Sequence, residues 1–161
     1  MHGRRHTYQT RVTWTGDRGV GTRDYRAYDR SHDLGIAGKP TLAMSSDPAF
    51  RGDVAKHNPE EMLVASLSSC HMLWFLHLAA EAGVIVTAYE DRASGVMIED
   101  AETGGRFERV TLKPVVGVAP GSDPELANSL HARAHHMCYI ANSVNFAVDV
   151  QPQAQVAAPA S

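Results

Sequence analysis

Apolar and polar positions alternate at the start of the chain. Between Thr7 and Thr15, Tyr8, Val12 and Trp14 share one face, and Thr7, Gln9, Arg11 and Thr13 share the other. That period of two predicts a half-buried strand. A glycine-rich turn, Gly16 to Gly21, leads to a second alternating run around Thr22–Tyr28, with Arg23, Tyr25 and Ala27 opposite Asp24 and Arg26, so a hairpin is expected. Ile36–Met44 is a weaker segment, broken by Gly38 and Pro40, and is at best an edge strand. Ser45 to His57 is a long polar loop.

The strongest helix start in the sequence follows. Asn58 is suited to the N-cap, Pro59 to the first helical position, and Glu61 completes a capping box. The helix is predicted to run to about Ala82 and stop at Gly83. Strands are expected at Val84–Tyr89 and Ser94–Glu99, and over the alternating run Phe107–Val118. A second helix opens after Ser122 or Asp123 and fades near Asn142, and Val144–Val150 is a final strand. The Pro, Ala and Gln of residues 151–161 predict a disordered tail behind a single domain of residues 1–150. The layout is α+β.

The first helix changes the picture. From Met62 to Ala80 it carries no Asp, Glu, Lys or Arg, a stretch long enough to raise a membrane span. Ser66, Ser68, Ser69, His71 and His77 interrupt it, acids flank both ends, and no basic or aromatic girdle sets an orientation. It reads instead as the buried centre of a protein with no membrane partner. One sheet covers one face of such a helix, so a second copy of the chain is expected to cover the rest, in an obligate homodimer.

Composition adds limits. The chain has 161 residues, 43% of them apolar, and a net charge of −3 with both signs mixed, so neither disorder nor a nucleic-acid footprint is expected. No apolar stretch follows the basic Met1–His6 start, which predicts a cytoplasmic protein without a secretory signal. Two cysteines are too few for a disulfide scaffold but enough for one redox couple. Cys70 lies mid-helix among small and apolar neighbours, and Cys138 near the end of the second helix. Either alone reads as a small buried hydrophobe. Together they permit a thiol that peroxide oxidises to a sulfenic acid and a second thiol that resolves it. The alternative is a metal site: His131, His135 and Cys138 share a helix face, with Cys70 or His71 as a fourth ligand, but the close pairs typical of zinc sites are absent.

Asn58-Pro59-Glu60-Glu61-Met62-Leu63, followed by Ala65 to Ser69 and Cys70, resembles the motif of the OsmC/Ohr family, the osmotically inducible and organic-hydroperoxide-resistance proteins. Ala134 to Val144 resembles the segment around that family's second cysteine, and the likeness covers about residues 7 to 150. The continuation His71-Met72-Leu73-Trp74 is similar to a less characterised branch. The resemblance implies an OsmC-like fold, antiparallel sheets wrapped around two central helices in an intertwined homodimer. It also implies a thiol-dependent hydroperoxide reductase without a cofactor or metal. By motif position Cys70 would be the peroxidatic cysteine, Cys138 the resolving one, and Glu60 the carboxylate that holds an arginine. Arg18, in the glycine-rich turn, occupies the place comparable to that arginine, with Arg23, Arg26 and Arg51 as alternatives. An external dithiol of the lipoyl type would complete the cycle, and Phe50, Leu73 and Trp74 would form an apolar entrance for an organic hydroperoxide. The rival is a non-enzymatic binding or stress protein that keeps the fold and a buried cysteine pair. Since ten residues of helix advance about 15 Å, Glu60 is expected to serve the cysteine of the partner rather than its own.

Overall fold

The computed structural model describes residues 3–157. The chain separates into two compact units that meet between Met62 and Leu63.

The first unit is built on an antiparallel sheet of β1 (Arg11–Trp14), β2 (His32–Gly35) and β3 (Leu42–Met44), in that order. Trp14 pairs with His32 and Arg11 with Gly35, so β1 finds its partner well beyond the expected one. Thr22–Tyr28 is not a strand. Its alternation is overridden by local polar closures, which hold residues 17–30 as successive turns. The Asp17 carboxylate accepts the N–H groups of Gly19 and Gly21 at 2.8 and 2.9 Å. The Arg30 guanidinium lies over the rings of Tyr25 and Tyr28, 4.3 and 4.2 Å from their centroids, and donates to both of their carbonyls. At the base of the excursion Trp14 Nε1 donates to the Asp29 carbonyl at 2.9 Å. Gly16 is required there, because a Cβ would stand 1.9 Å from the same oxygen. The expected edge strand Ile36–Met44 survives only as β3, since residues 36–41 turn the chain between β2 and β3. In the polar loop, Asp47 caps a short 3-10 turn, Pro48–Phe50.

Helix α1 (Pro59–Glu81) begins as expected. Glu61 N–H donates to Asn58 Oδ1 at 2.8 Å and Asn58 N–H to Glu61 Oε2 at 3.2 Å, so the capping box closes in both directions. It ends at Gly83, whose φ of 73° is a left-handed conformation that glycine adopts without a Cβ penalty.

The second unit carries two three-stranded sheets and α2 (Pro124–Met137), capped by Asp123. One sheet orders β4 (Val86–Asp91), β7 (Pro114–Val118) and β9 (Gln153–Val156), and the other orders β5 (Ser94–Ile98), β6 (Arg106–Leu112) and β8 (Ala147–Val150). The sheets are mixed rather than purely antiparallel, because β6 pairs with β8 and β7 with β9 in parallel. The single run expected over Phe107–Val118 divides at Lys113, whose N–H goes to the Asp91 carboxylate at 2.7 Å instead of into a ladder. The expected tail is corrected as well. Its residues 153–156 form β9, where backbone pairing to β7 outweighs a coil-like composition, and residues 158–161 lie outside the described residues.

Two hydrophobic clusters hold this unit together. Phe75, Leu78 and Ala79 of α1 pack with Val84, Val116, Val118, Ala127 and Ala134. Leu67 of α1 packs with Val110 and Leu112 of β6. Burying a side chain such as Phe75 or Leu67 contributes about 2 kcal/mol. Helix α1 is long and apolar enough to cross a membrane by length and composition. Yet its buried residues are Leu67, His71, Phe75, Leu78 and Ala79 alone, and Leu73 is 61% exposed.

Candidate active site

The two helices of the second unit bring the cysteines together. Cys70, partly buried, lies midway along α1, and Cys138, 1% exposed, directly follows α2. Helix α2 stops at Met137 rather than fading near Asn142, because Cys138 turns to extended backbone (ψ 112°) while its N–H still bonds to the His135 carbonyl. That turn leaves the sulfur facing the Ala141 N–H at 3.5 Å. Both thiols are free, and Cys70 lies close enough to Cys138 to influence its titration. Burial pushes the Cys138 thiol up to about 11, the Ala141 amide opposes that rise, and the contact with Cys70 adds to it. At neutral pH Cys138 therefore keeps its proton. Two free thiols close enough to influence one another are an arrangement suited to thiol–disulfide chemistry.

A second polar pair lies beside the first. His71 Nε2 and His131 Nδ1 stand 2.9 Å apart, and the two residues are 0% and 2% exposed. The His131 ring stacks on Phe75 with centroids 4.1 Å apart. Burial, reinforced by nearby His135, holds His71 down to about 4, against a smaller opposing effect of Asp91. Burial and then His71 hold His131 down to about 4. Both imidazoles are thus neutral at pH 7. The outer nitrogens, His71 Nδ1 and His131 Nε2, and also His135 Nδ1, are buried without partners. Nearby, Ser68 Oγ donates to Asp91 Oδ2 at 2.5 Å. Sequence reasoning joined His71 and His131 only as candidate metal ligands and missed the hydrogen bond between them, which links positions 60 residues apart. The available signal was histidine inside an otherwise uncharged helix, facing a second helix rich in histidine.

The metal alternative, His131, His135 and Cys138 with Cys70 or His71, gains no support as a ligand set. Among the described residues no group of three or more His, Cys, Asp or Glu side chains is disposed to hold a metal ion.

The other expected site residues fall in both units. Glu60 sits in the first turn of α1, with Oε2 buried and unpartnered. Arg18 pairs with Asp29 at 3.7 Å and donates to the Arg26 carbonyl. Arg23 and Arg26 belong to the turns of residues 17–30 and not to a strand. Arg51 follows the 3-10 turn with a φ of 66°, and Phe50 ends that turn, partly buried. Leu73, Trp74 and His77 line an open apolar hollow of about 220 Å³ on α1. Trp74 packs edge-on against Tyr139, next to Cys138, with centroids 5.5 Å apart.

Comparison with known proteins agrees with this arrangement. A family model described as OsmC-like protein matches residues 52–153. An OsmC-like protein of unknown function from Vibrio cholerae has a solved structure that is 31% identical, with a TM-score of 0.84, over 92% of this chain and 99% of that one. An organic hydroperoxide resistance protein from Legionella pneumophila shares the fold at 17% identity and a TM-score of 0.65, over 94% of this chain and 98% of that one. So does the organic hydroperoxide resistance protein OhrB of Bacillus subtilis, at 21% identity and a TM-score of 0.58, over 92% and 98% respectively. No curated protein matches the sequence. With an α+β fold of mixed sheets and two helices, and a buried cysteine pair in reach of disulfide formation, the chain belongs to the OsmC/Ohr family of OsmC-like proteins.

Proposed function

We propose that this protein is a thiol-dependent reductase of organic hydroperoxides, with Cys70 as the peroxidatic cysteine and Cys138 as the resolving one. The observation that carries the reading is the buried, protonated Cys138 thiol lying close to the free and more accessible Cys70. In the proposed cycle the Cys70 thiolate attacks the distal peroxide oxygen, the O–O bond breaks, and the alcohol leaves after taking a proton. The Cys70 sulfenic acid then condenses with the Cys138 thiol. An S–S bond forms, the S–O bond breaks, and the hydroxyl departs as water with the Cys138 proton. An external dithiol of the lipoyl type returns both cysteines to thiols.

The apolar hollow at Leu73 and Trp74 supports an organic substrate over hydrogen peroxide. The buried, unpartnered oxygen of Glu60 suits an arginine partner. In the Arg18 assignment this requires Arg18 to exchange its exposed Asp29 contact for Glu60, and Arg51, Arg23 and Arg26 are the alternatives. Helix α1 is unbroken from Pro59 to Glu81, so Glu60 and Cys70 of one chain are separated by about 15 Å of helix. Glu60 and the arginine therefore act on Cys70 of the partner subunit in a homodimer that also covers the apolar faces of α1. The reducing cytoplasm suits such a cycle.

The test is the loss of cumene hydroperoxide with dihydrolipoamide as reductant, with mass detection of a Cys70–Cys138 disulfide. Cys70→Ser is expected to abolish peroxide consumption while leaving the fold intact. Unchanged consumption in that variant would refute the reading.

A further inference from the structure

The hydrogen bond between His71 and His131 has no part in the cycle above, yet it joins the same two helices that carry the two sulfurs. His71 follows Cys70 directly on α1, and His131 lies two turns before Cys138 on α2. Two neutral imidazoles in a core of Phe75, Leu78 and Ala134 leave their outer nitrogens unpaired. Packing alone would be served as well by apolar side chains, since replacing a buried polar pair with hydrophobic residues of similar volume is often neutral or stabilising. A directional contact does what apolar packing does not: it fixes a distance. The rings are held stiffly as well. They lie within 11° of parallel, and His131 is within 9° of parallel to Phe75. Either tautomeric arrangement, His71 donating or His131 donating, keeps the bond.

We propose that His71 and His131 are positioning residues for the Cys70–Cys138 couple, their hydrogen bond setting the separation of α1 and α2 and thereby how readily the two sulfurs join. The proposal rests on the reading that these cysteines exchange between dithiol and disulfide, but it does not depend on peroxide being the oxidant. The disulfide equilibrium follows the effective concentration of one sulfur at the other, and small errors in position lower that concentration steeply.

The experiment equilibrates the full-length protein with mixtures of oxidised and reduced dithiothreitol. One S–S bond forms between Cys70 and Cys138 as the one in the cyclic reagent breaks, and two protons pass to the released dithiol. In the double variant His71→Leu with His131→Phe, the equilibrium constant is expected to fall about tenfold, a shift of about 30 mV toward easier reduction for a two-electron couple. Disulfide formation should slow on the order of tenfold or more. His71→Gln, which can keep a hydrogen bond to His131, should stay near the parent in both. If the double variant fails to fold by circular dichroism, His131→Phe alone, which retains the ring stack on Phe75, carries the same comparison.

A folded variant with an unchanged potential and rate overturns the proposal. So does a His71→Gln protein that shifts as far as the double variant. A parent protein that forms the disulfide with dithiothreitol but not with cumene hydroperoxide removes the peroxidase reading and leaves this measurement standing. A parent that forms no disulfide with either oxidant removes both.

Discussion

Among the described residues, the first unit buries one hydrophobic side chain, Met44, whereas the second buries two clusters around Phe75 and Leu67. The first unit is shaped by hydrogen bonds and turns: the capped carboxylates of Asp17, Asp24 and Asp47, and Arg30 held between two tyrosines. On β1, Val12 is 64% and Trp14 45% exposed. The second unit is shaped by apolar packing and carries both cysteines. The apolar side chains of this sheet thus gain little from burial within the chain. The contrast implies that the second unit's core holds the thiols in place, while the first leaves apolar side chains of β1 exposed, a face that a second copy would cover under the proposed assembly.

The sharpest way to break this contrast is to cut into the packed unit. Phe75→Ala should cost about 3–5 kcal/mol of unfolding free energy in urea titration, because it removes a ring central to the cluster and leaves a cavity. A loss below about 1 kcal/mol would mean that the second unit is no more tightly packed than a surface.

Acid is the next lever, and between pH 6.5 and 4 it acts through a histidine pair of the second unit. His71 and His131 are held neutral in the fold, down to about 4, whereas in the unfolded chain they take protons near 6.5. The unfolded state then binds more protons, so stability is full above pH 6.5 and falls as the pH drops toward 4. The loss should be on the order of 3 kcal/mol for each of the two histidines. Asp91 and Tyr89 of β4, and His135 of α2, also face this region, and of these the Asp91 carboxylate favours protonation of His71. Replacing the pair with apolar residues should flatten the stability profile between pH 6.5 and 4, and an unchanged slope would assign it to other groups.

Smaller effects test the hydrogen-bonded unit. Asn58→Ala opens the capping box and should cost about 1 kcal/mol in thermal unfolding. Val12→Ala should change the stability of an isolated chain by no more than about 0.5 kcal/mol. In the proposed dimer, however, it should lower the association constant measured by sedimentation. A dimer constant unaffected by Val12→Ala would show that β1 is not the covered surface.

What could be read from the sequence follows the same divide. Local chemistry was legible: the Asn58–Glu61 box, the stop at Gly83, and Asp123 as the cap of α2 all rest on residues within four positions of one another. The motif around Cys70 and Cys138 marked two cysteines that the fold brings close together. Alternation misled at Thr22–Tyr28, because it records side-chain character and not whether a partner strand exists. Composition misled at Gln153–Val156, where a strand is made by backbone pairing to β7 with little help from its side chains. The His71–His131 bond depends on how two helices face each other, and no local pattern encodes that.

The strand exchange in the second unit has a consequence for how the chain is made. Successive strands β6 and β7 lie in different sheets, and each is paired in parallel by one of the successive strands β8 and β9. Neither sheet is complete until residues 147–156 have been synthesised. On the ribosome, the edges of β6 and β7 stay open while α2 is already free to form. A nascent chain stalled after α2 should therefore be a good chaperone substrate, and removal of the last strand should harm solubility more than its side chains suggest.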